Sequence, residues 1–283
     1  MAKRKHSPRP IPPTPPVPAT PTDLRQRLLA DLTTLQVRIN ADELDAVLGQ
    51  AERHGWSPLE FAGRLLRGAA DRRRERSLER RLHDARFRDP HTLETFDWQF
   101  NAPTIDRGQI EELAACAFVS RHDNLIVVGQ SGLGKSRIVQ AVGRAACALG
   151  YRVRYTTSAG LLRDLTAALA DQTLTTRLRY WTGFDLLVID EFGFDRLDRQ
   201  TCAEAPQLLY KVIEGRHGQR STVLVTNVDF EAWGEYLGDA PLAMAFLDRL
   251  VDGAIVLKLR GRSYRAARAR TLVSAKEEEP KRE

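Results

Sequence analysis

Gly129-Gln130-Ser131-Gly132-Leu133-Gly134-Lys135-Ser136 fits the pattern G-x-x-x-x-G-K-[ST] at every required position. That pattern describes a phosphate loop. Glycines let the backbone fold tightly, so successive N–H groups can point at phosphate oxygens. A helix N-terminus behind the loop adds partial positive charge. Lys135 can then reach the β- and γ-phosphates, and the Ser136 hydroxyl can ligate Mg²⁺. All eight residues are therefore candidate nucleotide contacts. A second set follows in Leu186-Leu187-Val188-Ile189-Asp190-Glu191, an apolar run that ends in two carboxylates. Asp190 would hold Mg²⁺ through its water shell, and Glu191 would polarise the attacking water. Asn227 ends another apolar run and could hydrogen-bond the γ-phosphate or that water, or simply form a turn. Arg249 could neutralise transition-state charge in a neighbouring subunit, or could be a salt-bridged surface arginine. Arg265 poses the same choice.

The flanking patterns can position these groups. Leu125–Val128 reads as a buried strand. Behind the loop, Ile138, Val139, Val142, Ala145 and Ala146 fall on one face of a helix. A helix is also expected over Gln109–Ser120. Beyond the loop, strands are expected at Tyr151–Thr157, Phe184–Ile189, Thr222–Thr226 and Ala254–Leu259. Helices are expected at Ala159–Ala170, Ala203–His217 and Pro241–Val251. Such alternation predicts an α/β fold with a mainly parallel sheet, covered by helices on both faces.

Upstream, residues 23–88 carry helical periodicity. Leu24, Leu28, Leu32 and Leu35 repeat at helical spacing, and Asp42–Ala51 suggests a second helix. Ser57-Pro58-Leu59-Glu60 suits the start of a third, with Ser57 as N-cap and Glu60 as its capping-box partner. That third helix is rich in arginine. It reads equally as a solvated face with internal ion pairs or as a surface that tracks DNA phosphates. Residues 89–107 read as a linker, in which Phe96, Trp98 and Phe100 could line an adenine or pack onto the core. Residues 1–22 form a proline-rich tail and 267–283 a charged one, both expected to be disordered.

The chain has 283 residues, 42% hydrophobic and 28% charged, so a real core is available. Its net charge of +6 is compatible with a nucleic-acid partner. Cys116, Cys147 and Cys202 lack metal-ligand spacing and read as inert thiols in a reducing compartment. No apolar run approaches a membrane span and no secretory signal is evident, so a cytoplasmic location is expected.

The order GQSGLGKS, LLVIDEFG, VLVTN, FEAWGEYLGD, FLDRL and RGRSYR resembles the IstB-like helper ATPases of bacterial insertion sequences. These are relatives of the DnaC-like helicase loaders within the AAA+ ATPases. The resemblance covers roughly residues 57–266 and implies an AAA+ ATPase domain at 108–266, after a small helical N-terminal domain. It implies Asn227 as sensor 1, Arg249 as the arginine finger and Arg265 as sensor 2. It further implies ATP and Mg²⁺ as ligands, a homo-oligomer assembled on double-stranded DNA, and recruitment or activation of a transposase. The proline-rich tail, Pro206 inside an expected helix, and Arg262 in place of an acidic residue depart from the pattern. A helicase loader would need the same ATPase parts. It would bind a replicative helicase and stack aromatic side chains on single-stranded bases. A DNA-binding scaffold with ATP as assembly ligand would have little use for Glu191.

Overall fold

The computed structural model describes residues 21–101, 104–194 and 204–268. Cys202, most of the proline-rich tail and nearly all of the charged C-terminal tail lie outside them. The chain divides into two compact units, Met1–Arg76 and Ser77–Glu283.

In the first unit, α1 (Pro21–Thr34), α2 (Ala41–His54) and the start of α3 (Pro58–Ala85) enclose a small core. Leu32, Ile39, Leu44 and Leu65 are buried there, with Leu29 and Phe61 packed against them. Of the four leucines that suggested α1, only Leu32 is buried; Leu24, Leu28 and Leu35 are exposed. Residues four apart drift about 40° around a 3.6-residue turn, so the inward face runs through Leu29 and Leu32 instead. Asn40 caps α2 in a capping box with Glu43. At the start of α3, Ser57 N–H donates to Glu60 Oε2 (2.8 Å) and Glu60 N–H donates to Ser57 Oγ (3.3 Å), as the sequence predicts.

The second unit continues from the end of α3 through α4 (Arg107–Ala114) and α5 (Ala117–Ser120) to β1 (Leu125–Val128) and α6 (Lys135–Ala148). Then come β2 (Val153–Thr157), α7 (Ser158–Ala170), α8 (Leu174–Thr182), β3 (Leu186–Phe192), α9 (Ala205–Glu214) and β4 (Ser221–Thr226). A 3₁₀ turn (Phe230–Ala232) leads to α10 (Trp233–Leu237), α11 (Ala240–Val251) and β5 (Ile255–Lys258). The five strands are all parallel, in the order β2-β3-β4-β1-β5. Alternate residues feed opposite faces. Leu125, Val127, Leu186, Val188, Val223 and Val225 enter one core. Ile126, Val128, Leu187, Ile189 and Leu224 enter the other. Strands buried on both faces must be apolar throughout, which is why they appear in the sequence as continuous runs.

Three local readings need correction. The helix expected over Gln109–Ser120 is broken, because Cys116 sits in the left-handed region (φ 57°) between α4 and α5. Helix α8 was not anticipated, although Leu174, Leu178 and Trp181 have helical spacing and pack inward. Pro206 does not interrupt a helix: α9 begins at Ala205, so the proline lies in the first turn, where no N–H is needed. Among the described residues, no helix is long and apolar enough to cross a membrane.

Candidate nucleotide site

Parallel strands put their C-terminal ends on one edge of the sheet, where α/β folds bind ligands. Here Val128 of β1 pairs with Thr226 of β4, and Phe192 of β3 pairs with Thr226 from the other side. The phosphate loop, Asp190-Glu191 and Asn227 therefore converge. They line a cavity of about 390 Å³ together with Phe96, Phe100, Tyr264 and Arg265.

The loop owes its shape to glycine at two points. Gly134 caps α6 with φ 89°, and Gly132 has φ 86°. A Cβ on Gly132 would lie 2.1 Å from Ser263 Oγ. The C-terminal segment is docked there, with Tyr264 N–H donating to Gly132 O (3.0 Å) and Leu259 N–H to Val128 O (2.8 Å). Asn101 grips the same segment, accepting from Arg262 N–H (3.1 Å) and donating to Arg262 O (3.0 Å). Arg265, on a helical turn over 264–268, is thereby carried to the cavity.

Lys135 Nζ donates to Gly129 O (2.5 Å) and Gln130 O (2.9 Å). These two residues serve the lysine and do not line the cavity, whereas Ser131 to Ser136 do. Burial holds the Lys135 pKa below the ordinary lysine value; Asp190 opposes that shift and Arg265 adds to it. A desolvated ammonium with two neutral acceptors gains strongly from an anion, so the loop fits a phosphate group.

Asp190 is buried. Tyr155 donates its hydroxyl to Asp190 Oδ2 (2.6 Å), and Glu191 N–H donates to Asp190 Oδ1 (2.8 Å). Burial, then the charge and hydrogen bond of Asp190, raise the Tyr155 pKa, so the phenol stays protonated as a donor. Glu191 itself lies in the left-handed region (φ 59°). Its side chain pairs with Arg88 at 2.7 Å. Ser136 and Asp190 offer hard oxygen donors. Among the described residues, no group of three His, Cys, Asp or Glu side chains could hold a metal ion. Two hard donors suit Mg²⁺, which keeps waters and substrate phosphates as its other ligands.

Arg249 does not line this cavity. Its guanidinium pairs with Glu214 (2.7 Å) and Asp248 (2.8 Å), and the hydrogen bond to Glu214 raises its pKa. Of the linker aromatics, Phe96 and Trp98 pack against the core, as one of the two readings expected. Phe96 and Phe100 line the cavity, and Trp98 packs on Phe96. Arg262 stacks over Phe100 at 5.4 Å. Tyr155, Arg88, Asn101 and Ser263 were missed by sequence reasoning. Only Tyr155 carried a signal, as a polar-tipped residue midway along an otherwise alternating strand.

Residues 30–271 match the family described as IstB-like ATP binding protein. A protein named for ATP binding in insertion sequence IS21 of Pseudomonas aeruginosa is 33% identical over 234 residues, which are 83% of this chain and 86% of that one. One named likewise in insertion sequence IS5376 of Geobacillus stearothermophilus is 31% identical over 242 residues, covering 86% and 94%. Among solved structures, DnaI has the same fold at 18% identity and a TM-score of 0.50, over 64% of this chain and 94% of that one. A match that runs from α1 to the helical turn bearing Arg265 takes in the whole cavity, and with it the chain belongs to the IstB-like ATP-binding proteins, on a parallel α/β fold with a phosphate loop.

Proposed function

We propose that this protein hydrolyses ATP and acts as an ATP-dependent, DNA-binding helper of transposition. Lys135 neutralises charge on the β- and γ-phosphates, and the loop N–H groups orient them. Ser136 and Asp190 would hold Mg²⁺, which when bound would supply positive charge against the phosphates. Tyr155 fixes the Asp190 carboxylate by its hydrogen bond. Glu191 polarises the attacking water, and Asn227 hydrogen-bonds either that water or the γ-phosphate. Arg265 approaches from the C-terminal turn of the same copy, and Arg249 reaches the γ-phosphate of a neighbouring copy.

One observation carries this reading. Lys135, Asp190, Glu191, Asn227 and Arg265 come from separate stretches yet line one cavity, while Arg249 stands outside it. A cavity supplied with every part but one, and an arginine elsewhere in the chain, together support a site shared between copies. Homo-oligomerisation on double-stranded DNA, mostly through phosphates, and recruitment of a transposase belong to the same proposal. The relatives named for insertion sequences favour a transposase over a helicase as partner.

The test mixes two inactive variants, Lys135→Ala and Arg249→Ala. Loss of a trans-acting arginine is expected to lower turnover by about 10³-fold or more. Mixing should restore part of the activity, because some boundaries then pair an intact loop with an intact arginine. Normal ATP turnover by Arg249→Ala would end the shared-site reading.

A further inference from the structure

Arg88 stands immediately beyond the end of α3, outside every motif that the nucleotide site uses. Its Nη1 nevertheless donates to Glu191 Oε1 at 2.7 Å. The arginine is itself fixed from behind. The buried Gln140 accepts through Oε1 from the backbone N–H groups of both Arg88 (2.9 Å) and Asp89 (3.1 Å). Phe87 fills the space beside Gly143, where a Cβ would lie 2.8 Å from its ring, and it also packs on Tyr155. The Arg88 guanidinium lies 6.0 Å from the centre of the Tyr155 ring.

Glu191 has a particular need for such a partner. Its backbone is pinned in the left-handed region, with its N–H on Asp190 and its carbonyl accepting from Ser158 Oγ (3.2 Å). Two adjacent carboxylates repel, and a side chain that is partly exposed can swing toward solvent. We infer that Arg88 is a positioning residue for Glu191. It holds one carboxylate oxygen so that the other faces the cavity and the attacking water. This inference rests on the proposal that Glu191 polarises that water. Arg88 does not line the cavity, and in this inference it acts through Glu191.

Steady-state ATP turnover of the full chain tests it. Arg88→Ala should lower kcat by about tenfold, a fraction of the 10²–10⁴ that a general base contributes, and should change KM for ATP by less than about twofold. Arg88→Lys, which keeps the charge, should recover part of the loss. In a Glu191→Gln background, Arg88→Ala should cost nothing further, because the group it positions is gone. Gly143→Ala, which displaces Phe87 and disturbs no catalytic side chain directly, should reproduce part of the kcat loss. Unchanged or increased kcat in Arg88→Ala overturns the inference, an increase meaning that the ion pair restrains Glu191 instead. Full turnover by Glu191→Gln overturns the hydrolysis reading itself. An inactive Glu191→Gln beside a fully active Arg88→Ala overturns only the role given to Arg88.

Discussion

A phosphate loop is usually discussed as a set of N–H donors, but here Gly132 also answers to the other end of the chain. Its φ of 86° and its approach to Ser263 leave no space for a side chain. Gly132→Ala should lower stability by roughly 1–3 kcal/mol and weaken ATP binding, because the docked segment that carries Arg265 must shift. Thermal denaturation and a nucleotide titration would check both, and wild-type values in each would refute the docking role. Cys116 and Cys147 are buried, and burial raises both thiols to about 11. The folded state thus keeps protons that an unfolded thiol gives up near its ordinary pKa. Stability should therefore fall as pH rises from the ordinary thiol range toward about 11. At neutral pH, alkylation mapped by mass spectrometry should reach these two cysteines only after denaturation. Rapid labelling of either one in the native protein would contradict this.

Among the elements, the junction of α8, α9, β3 and β4 depends on one buried cation. Arg216, just beyond α9, donates to the carbonyls of Trp181 (3.2 Å), Phe184 (2.8 Å) and Ser221 (2.5 Å), and to Thr222 Oγ1 (3.0 Å). Burial lowers its pKa, and these acceptors stand in for the water it has lost. Arg216→Met should cost about 3 kcal/mol or more, since several buried acceptors lose their donor together. Chemical denaturation would measure the loss, and a cost under about 1 kcal/mol would show that those carbonyls have other partners. The elements themselves were largely legible. Strands buried on both faces announced themselves as apolar runs, and the cap of α3 was written in Ser57 and Glu60. The break at Cys116 was not legible, because nothing local demands a left-handed cysteine there. Helix α8 was overlooked although its apolar spacing was present.

For the whole molecule, the open question at the level of charge was what the arginines of α3 do. Some are engaged: Arg72 pairs with Glu43 and donates to Arg38 O (2.9 Å), and Arg74 pairs with Asp71. Arg67, Arg73 and Arg76 are exposed and make no ion pair among the described residues. On the part of α3 that belongs to the first unit, these three side chains are open to meet phosphates. Replacing all three with alanine should weaken duplex binding and flatten the slope of log K against log salt by about 0.9 for each phosphate left without its cation. ATP turnover without DNA should be unaffected. Binding measured over a salt series would check this, and an unchanged slope would refute a DNA-contacting role for these three arginines.

The sequence alone determined the chemistry within reach. Spacing in Gly129–Ser136 and the carboxylates at Asp190 and Glu191 are local facts, and buried parallel strands must be apolar wherever they pair. Only the tertiary structure decided which distant groups meet those residues. Tyr155 on Asp190, Arg88 on Glu191, Ser263 against Gly132 and Arg249 outside the cavity all follow from strand order and chain return. No periodicity in the chain encodes the meeting of residues that far apart. Such meetings arise when burying both faces of one sheet brings separate segments to the same edge.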